Sequence, residues 1–283
     1  ASALAFLVEE APLLLNGLEP FALERIGARL ADRDGEAAAK AALDGALHDW
    51  VGKRLGVPVW RLLGLAPVAP PTSFTIAIAN IEQTRERTRR AAGFRALKLK
   101  LGGPEDLERL RAVRELTDVP LRVDANEGWT LETAWELMPE LIELGVELIE
   151  QPFPAADLDS LAALCELRAR PPIVLDESCH DLGDVADAAR YADAINVKLA
   201  KAGGLREAVR MIHAARALDL RVMLGCMVES QLAVAPAAQI ASLADWVDLD
   251  GHLLLAEQPY EGLALEEGRV LPSSAPGLGV RPA

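Results

Sequence analysis

The stretch ALKLKL (96–101), followed by EDLERLRAVREL (105–116) and LRVDA (121–125), decides the fold. The first and third segments are short apolar runs of the kind that form buried strands, whereas the middle segment repeats apolar residues at helical spacing. Parallel neighbouring strands need a long crossover connection, which is usually a helix. This strand, helix and strand therefore predict one unit of a parallel sheet.

The same alternation continues along most of the chain of 283 residues. Helix-like segments such as LETAWELMPELIELG (131–145) and LREAVRMIHAARALDL (205–220) separate further apolar, β-branched runs. Eight strands are predicted, at 75–79, 96–101, 121–125, 148–152, 173–178, 195–199, 221–227 and 246–251. Eight strands that alternate with helices at this spacing predict an α/β fold, a (β/α)7β barrel similar to the TIM barrel.

The two ends of the chain do not follow this rhythm. The segment EAAAKAALDGALHDWVGKRLG (36–56) is predicted to be a helix, and prolines punctuate the sequence between it and the first strand. We therefore expect residues 1–70 to form the helical part of an N-terminal capping domain and residues 71–258 to form the barrel. Residues 259–283 are expected to return to the cap.

Composition excludes several classes of protein. Hydrophobic residues make up 51% of the chain, which is enough for a large core. The net charge of −14 argues against nucleic-acid binding, because that binding depends on basic residues that neutralise phosphates. No apolar run reaches the ~18 residues of a membrane span, and the N-terminal residues do not resemble a signal peptide. The three cysteines form no CxxC pair, so a reduced, cytoplasmic setting is expected.

Charged residues occur where a barrel core would need apolar ones. Lys98 and Lys100 lie two apart on one predicted strand and share one face of it, while the intervening leucines share the other. Helices cover the outside of such a barrel, so the lysines are expected to point into its mouth. Asp248 and Asp250 repeat this pattern at the last strand. A buried charge costs several kcal/mol unless it is paired, so we interpret these positions as functional.

Three carboxylates mark a candidate metal site. Asp124, Glu150 and Asp176 fall near the carboxyl ends of successive predicted strands, with equal spacing along the chain. Barrel enzymes place their chemistry at that end of the barrel. Three converging oxygen ligands favour Mg²⁺, which also keeps coordination positions for substrate oxygens. Lys198 follows on the next strand and lies across the barrel from Lys100.

Other polar residues near the strand ends have more than one possible role. Glu229 follows the seventh strand and is a candidate to contact the lysines or the substrate, with an ordinary structural role equally open. Asn126, Glu127 and Glu177 flank the carboxylates and either orient them or make ordinary hydrogen bonds. His180 receives no assigned role. The sequence contains no motif of a serine hydrolase, zinc protease or nucleotide-binding loop.

Several motifs together resemble a known family. KLK (98–100), VDAN (123–126), EQP (150–152), DES (176–178) and NVKLAKAGG (196–204) resemble, in this order, the enolase superfamily in its muconate lactonizing enzyme subgroup. The finer motifs are similar to dipeptide epimerases, in particular L-Ala-D/L-Glu epimerase. They are VDANEGW (123–129), EQPFPAADLDSL (150–161), DESCH (176–180), MLGCMVES (223–230) and DLDG (248–251).

The resemblance implies a Mg²⁺-dependent isomerase that inverts the α-carbon of a dipeptide's C-terminal residue by 1,1-proton transfer through an enediolate. It implies that Lys100 and Lys198 exchange the proton from opposite faces and that Lys98 orients Lys100. Proximity to the metal ion and to the other lysines is expected to lower the pKa of each proton-transferring lysine. Asp248 and Asp250 are expected to hold the α-ammonium group of the substrate.

The resemblance leaves the substrate open. The default is an L-Ala-D/L-Glu dipeptide, with recycling of peptidoglycan peptides as its context. The cap is expected to be a partial α+β domain, because family members carry a small sheet ahead of the cap helix whose loops set specificity. N-acylamino acid racemase, o-succinylbenzoate synthase and cycloisomerase activities remain alternatives, and a non-catalytic small-molecule-binding barrel is a further one. A homo-oligomer is also open, since the superfamily often forms dimers or octamers.

Overall fold

A closed ring of eight parallel strands forms the centre of the computed structural model, which describes residues 2–283. The strands are β1 (Phe74–Ile76), β2 (Leu97–Lys100), β3 (Leu121–Asp124), β4 (Val146–Glu150), β5 (Ile173–Leu175), β6 (Ala194–Lys198), β7 (Arg221–Gly225) and β8 (Trp246–Asp248). Each pairs in parallel with the next. A parallel bridge between Thr72 and Val247 joins β8 to the start of β1. All eight predicted strands and the predicted barrel are confirmed.

Helices connect the strands and cover the outside of the barrel. They are α6 (Ile81–Arg90), α7 (Asp106–Arg114), α8 (Leu131–Glu143), α9 (Leu158–Cys165), α10 (Val185–Tyr191), α11 (Leu199–Ala202), α12 (Leu205–Ala217) and α13 (Gln231–Ile240). Side chains cap three of them at the N-terminus: Asn80, Thr130 and Asp157 accept hydrogen bonds from backbone N–H groups three residues further on. Such caps satisfy otherwise unpaired donors and fix where each helix begins.

The N-terminal region is helical. It contains α1 (Ser2–Ala5), a π-helical turn (Phe6–Glu10), α2 (Ala11–Leu15), α3 (Leu23–Ala31), α4 (Ala37–Leu55) and α5 (Val59–Leu62). The long helix α4 contacts the barrel through Asp44, whose Oδ2 atom accepts a hydrogen bond of 2.6 Å from the backbone N–H of Leu205. No helix among residues 2–283 is long and apolar enough to cross a membrane.

The C-terminal segment forms two small antiparallel pairs. Strand β9 (Tyr260–Glu261) pairs with β12 (Arg281–Pro282), and β10 (Ala264–Glu266) pairs with β11 (Arg269–Leu271). Between them, the backbone N–H of Leu278 donates to Asp49 of α4 at 2.8 Å. The division of the chain at residues 70 and 258 stays a prediction.

The interior of the barrel has two layers. Nearest the amino ends of the strands is a buried apolar layer that consists of Leu148, Val174, Ala194, Met223 and Trp246. Two residues further along, four of these five strands carry a polar or charged residue (Glu150, Asp176, Asn196 and Asp248), and β7 carries Gly225. Because side chains alternate across a strand, both layers face the barrel axis. The candidate site lies at this charged end.

Candidate active site

A cavity of about 520 Å³ opens at the carboxyl ends of the strands. Six of the predicted site residues line it: Lys98, Lys100, Asp176, Lys198, Asp248 and Asp250. Asp124 and Glu150 are completely buried beside the cavity, and both contact the Nζ atom of Lys98, which lines it. The structure thus brings together eight of the nine residues that the sequence selected.

Lys98 is the centre of the charged layer. Its Nζ atom lies 2.9 Å from Asp124 Oδ2, 2.6 Å from Glu150 Oε2 and 2.9 Å from Asp248 Oδ2. Burial alone would lower the pKa of this lysine, but the surrounding carboxylates outweigh burial and raise its pKa well above the ordinary value. Lys98 therefore stays protonated, which suits an orienting cation better than a base.

Lys100 and Lys198 approach the cavity from opposite sides. Their strands, β2 and β6, are four positions apart in a ring of eight. The Nζ atom of Lys100 lies 2.6 Å from Asp124 Oδ2 and 2.9 Å from Asn126 Oδ1, and that of Lys198 lies 2.6 Å from Asp176 Oδ2. An α-carbon between these two amines would present one face to each.

The protein groups around Lys198 raise its pKa, and the lowering expected from a bound metal ion stays a prediction. Burial does act to lower the pKa, but the charges of Asp176 and Glu150 outweigh it and raise the pKa of Lys198. The carboxylates at hydrogen-bond distance act against the lowering expected from the metal ion and the neighbouring lysines. A cation that binds Asp176 would offset the negative charge that raises the pKa of Lys198.

The three carboxylates differ in electrostatic environment. Burial acts to raise the pKa of Asp124, yet Lys98 and Lys100 outweigh it and hold that pKa below its ordinary value. The lysines around Asp176 lower its pKa in the same way. Burial, together with the charge of Asp124, raises the pKa of Glu150 to about 8. A cation among the three would favour the ionised form of Glu150.

The donor set fits a hard cation by its chemistry. All three residues offer oxygen ligands. Glu150 Oε2 is buried and forms an ion pair with Lys98 Nζ, but it accepts no hydrogen bond of normal geometry. Within residues 2–283, however, no three His, Cys, Asp or Glu side chains stand close enough together to enclose a metal ion. Each carboxylate pairs with a lysine instead, so metal binding requires these ion pairs to rearrange.

Three residues that position these carboxylates were missed by the sequence analysis. Asn196 Nδ2 donates to Glu150 Oε1 at 2.8 Å. Gln151 Oε1 accepts the backbone N–H of Asp176 at 3.0 Å, and Lys201 Nζ contacts the Asp176 carboxylate. Asn196 was detectable, because it precedes Lys198 by two on the same strand and so points inward. Gln151 and Lys201 lie within the motifs EQP and NVKLAKAGG, but alternation along a strand does not indicate their contacts.

The two aspartates at the end of β8 have different partners. Asp248 Oδ1 accepts a hydrogen bond of 2.5 Å from Ser73, and Lys98 lowers its pKa against the effect of burial. Asp250 Oδ2 accepts the backbone N–H of Thr75 at 2.7 Å, and burial together with the Asp248 charge raises its pKa to about 7. Among the described residues no cationic side chain forms a salt bridge with Asp250. An ammonium group of a ligand would complete this environment.

Glu229 is the exception among the predicted residues. Its Oε1 atom accepts the backbone N–H of Met227 at 3.3 Å, and the residue lines a separate groove between α4 and α13. Burial raises the pKa of Glu229, although the charge of Lys198 acts to lower it. Whether Glu229 serves the lysines or the substrate stays a prediction. Of the flanking residues, Asn126 also donates to Glu177 at 3.2 Å, whereas Glu127 accepts the Ala155 N–H at 2.7 Å.

Two family profiles match the chain. The profile described as enolase C-terminal domain-like matches residues 80–283, and that of the mandelate racemase / muconate lactonizing enzyme N-terminal domain matches residues 3–64. The chain therefore belongs to the enolase superfamily, in the mandelate racemase and muconate lactonizing enzyme family.

Individual relatives narrow the family further. An L-Ala-D/L-Glu epimerase of Bacteroides thetaiotaomicron is 41% identical over 93% of this chain and 69% of its own length. A hydrophobic dipeptide epimerase of Roseobacter litoralis is 44% identical over 85% of this chain and 72% of its own. The crystal structure of a dipeptide epimerase from Methylococcus capsulatus complexed with Mg and the dipeptide L-Arg-D-Lys has a TM-score of 0.90 and 38% identity, and the match covers 99% of this chain and 82% of that one.

These findings confirm the predicted dipeptide epimerase family and the predicted enzyme class, an isomerase of the racemase and epimerase type. The prediction of Mg²⁺ as the cofactor is confirmed at the level of the family, since the Methylococcus enzyme binds it. The relatives carry different substrate names, so family membership alone does not select one dipeptide.

Proposed function

We propose that this protein is a Mg²⁺-dependent dipeptide epimerase that inverts the α-carbon of the C-terminal residue. The observation that carries the proposal is the placement of Lys100 and Lys198 on opposite sides of one cavity, which Asp250 also lines. Inversion at a carbon needs one group to remove a proton and a second group to return it on the other face.

Asp124, Glu150 and Asp176 would hold the metal ion. When bound, Mg²⁺ supplies positive charge that stabilises the negative charge developing on the substrate carboxylate as the α-proton leaves. Lys98 supplies a permanent positive charge beside these residues, because its pKa is raised. Asn196 and Lys201 fix the orientation of Glu150 and Asp176.

Lys100 and Lys198 would move the proton. One amine, in its neutral form, takes the proton from the α-carbon, and the ammonium of the other donates a proton to the opposite face. Their roles reverse for the other diastereomer. Such proton transfer by a positioned group contributes typically about 10²–10⁴-fold to a rate.

Asp248 and Asp250 would bind the free α-ammonium of the dipeptide. Asp250 is the better placed of the two, since it lacks a cationic partner in the described chain, whereas Asp248 pairs with Lys98. This arrangement favours dipeptides over N-acylated amino acids, which carry no ammonium. L-Ala-D/L-Glu remains the default substrate, and peptidoglycan-peptide recycling in the cytoplasm remains its proposed context.

A labelling experiment tests this proposal. The protein is incubated with Mg²⁺ in D₂O and a panel of L-Xaa-L-Xaa dipeptides together with N-acylated amino acids, and deuterium is located by mass spectrometry. We expect label at the α-carbon of the C-terminal residue only, and no label in N-acylated substrates. Label in N-acyl amino acids but in no dipeptide would overturn the proposal in favour of an acylamino acid racemase.

A further inference from the structure

A buried carboxylate lies outside the cavity, at the start of α7. The side chain of Asp106 is buried and accepts four hydrogen bonds. Two come from the backbone N–H groups of Gly102 and Gly103, at 2.8 and 3.0 Å, in the loop that follows β2. The others come from Trp129 Nε1 at 2.9 Å, in the loop that follows β3, and from Arg109 Nη1 at 3.2 Å. One carboxylate thus joins the loops at the ends of two neighbouring strands.

Asp106, Arg109 and Trp129 form a group that we call the Asp106 cluster. All three are buried, and none of them lines the cavity. Arg109 extends the cluster to a third loop, the one that follows β1, because its Nε atom donates to the carbonyl oxygen of Ala79 at 2.9 Å. A buried ion pair often stabilises a protein no more than apolar residues of similar volume would. Its directed hydrogen bonds, however, fix the relative position of the three loops.

The loops that follow β2 and β3 leave no room between them. A Cβ atom at Gly128 would lie 2.7 Å from the Cα atom of Gly102, and a Cβ atom at Gly102 would lie 2.9 Å from the carbonyl oxygen of Ala125. The backbone N–H of Leu101 donates to the carbonyl oxygen of Asp124 at 2.8 Å. A shift of either loop therefore displaces the other loop and the end of β2.

Lys100 depends on this backbone more than the other lysines of the site do. It is the last residue of β2, and its side chain is 27% exposed, against 2% for Lys98 and 10% for Lys198. A side chain with less packing around it is held mainly by its backbone and by its hydrogen bonds. Those hydrogen bonds go to Asp124 and Asn126. The backbone of Lys100 and both of its partners lie at the strand ends that the Asp106 cluster holds together.

Lys198 has a different set of supports. Its Nζ atom donates to Asp176 at 2.6 Å, and Lys201 contacts the same carboxylate. Strand β6 lies opposite β2 in the ring, and within residues 2–283 the side chains of the Asp106 cluster make no hydrogen bond to any of these three residues. Loss of the cluster should therefore affect one face of the substrate only.

We propose that Asp106 is a positioning residue that holds the Lys100 amine against one face of the substrate's α-carbon. This inference rests on the proposed function, because it takes Lys100 and Lys198 as the two proton-transferring groups. Proton transfer depends steeply on geometry, and a displacement of about 1 Å can cost about 10²-fold in rate. Loss of the hydrogen bonds to Gly102 and Gly103 lets the end of β2 move, so it slows transfer at the face that Lys100 serves.

Exchange of the α-proton with D₂O in Asp106→Ala, measured separately for the L,L and L,D dipeptides, tests the inference. We expect the initial exchange rate to fall by about 10- to 100-fold for one diastereomer and to change by less than about threefold for the other. The affected diastereomer should be the one that Lys100→Ala also fails to exchange. The fall should lie in kcat and not in KM, since Asp106 does not line the cavity. Asp106→Asn, which keeps one acceptor oxygen and the shape of the side chain, should show the same asymmetry at a smaller size.

Asp245→Ala is the matched control. Asp245 likewise accepts a backbone N–H, from Val222 at 2.7 Å, and pairs with an arginine, Arg216. It lies at the opposite end of the barrel, directly before β8. Asp245→Ala should lower the midpoint of urea unfolding, as Asp106→Ala does, and should leave the ratio of the two exchange rates unchanged.

Three results would overturn the inference while leaving the epimerase proposal intact. They are an unchanged ratio of the two exchange rates in Asp106→Ala, selective slowing of the diastereomer that Lys198→Ala fails to exchange, and an equal asymmetry in Asp245→Ala. If Asp106→Ala does not fold, the ratio in Asp106→Asn decides between the same outcomes. Exchange of no dipeptide by the wild-type protein would overturn both proposals.

Discussion

The two layers inside the barrel differ sharply although they are built on the same strands. Leu148 and Val174 belong to the apolar layer, and two residues further on Glu150 and Asp176 belong to the charged one. The apolar layer gains free energy simply by leaving water. The charged layer is stable only while its cations and carboxylates remain paired. We infer that stability and chemistry are separated along the strand axis.

Arg122 places a buried charge level with the apolar layer, since it is paired with Leu148 in the sheet. It is buried, its Nε donates to Glu147 at 2.8 Å, and its Nη1 donates to the carbonyl oxygen of Val247 at 2.7 Å. The guanidinium therefore ties β3 to β4 and to β8. Its charge also helps to lower the pKa of Asp248, so Arg122 connects the apolar layer with the charged one.

The largest expected effect concerns catalysis in the charged layer. Lys100→Ala and Lys198→Ala should each lower the rate of epimerisation by about 10²-fold or more, since inversion needs both proton-transferring groups. Interconversion of the two diastereomers, followed by chiral chromatography, measures it. Inversion at the wild-type rate in either variant would contradict the assignment.

A substitution in the apolar layer should change the stability of the protein and not its catalysis. Met223→Ala removes a completely buried side chain and should lower the free energy of unfolding by about 2–5 kcal/mol. Urea unfolding measures this change. The folded variant should keep kcat within a few-fold of wild type. A loss of kcat comparable to that of Lys198→Ala would show that the two layers are not separable.

Asp250→Asn tests whether this carboxylate binds the ammonium group of the substrate. The amide keeps the size of the side chain and loses its charge, so it weakens only the attraction for an ammonium group. A charge-assisted hydrogen bond is worth about 1.5–3 kcal/mol, which predicts a rise in KM of roughly 10- to 100-fold. Steady-state kinetics with a free dipeptide measure it. An unchanged KM would exclude Asp250 from ammonium binding.

The smallest expected effect lies outside the barrel interior, at His48 of α4. Burial acts to lower the pKa of His48, but the neighbouring Asp44, with Oδ2 3.4 Å from Nδ1, outweighs it and raises the pKa. A histidine pKa that is higher in the folded state stabilises the protein below the unfolded pKa, and this contribution is lost as the pH rises through the folded pKa. Its size should be at most about 1 kcal/mol.

Comparison with His48→Gln isolates this contribution, since both proteins share all other titrating groups. The difference in urea midpoint between wild type and variant should be larger at pH 5.5 than at pH 8.5. A difference that is independent of pH, or that grows toward alkaline pH, would contradict the raised pKa.

The strands and most site residues could be predicted because both depend on alternation along a strand. A lysine two positions from another must share its face, and the order of the strands then places Lys100 opposite Lys198. Alternation ends with the strand, which explains why Lys201 was not predicted. Lys201 lies on the helix that follows β6 and turns back to Asp176. Glu229 lies in the loop after β7, where alternation does not set the direction of a side chain. The pKa of Lys198 depends on distances to carboxylates that no sequence pattern encodes.

The central claim is that two lysines serve opposite faces of one α-carbon. Its most direct test is exchange of the α-proton with D₂O in Lys100→Ala and Lys198→Ala, using the L,L and L,D dipeptides separately. We predict that each variant exchanges the proton of one diastereomer only and that the two variants select opposite diastereomers. Exchange of both diastereomers in one variant, or of the same diastereomer in both, would contradict the account.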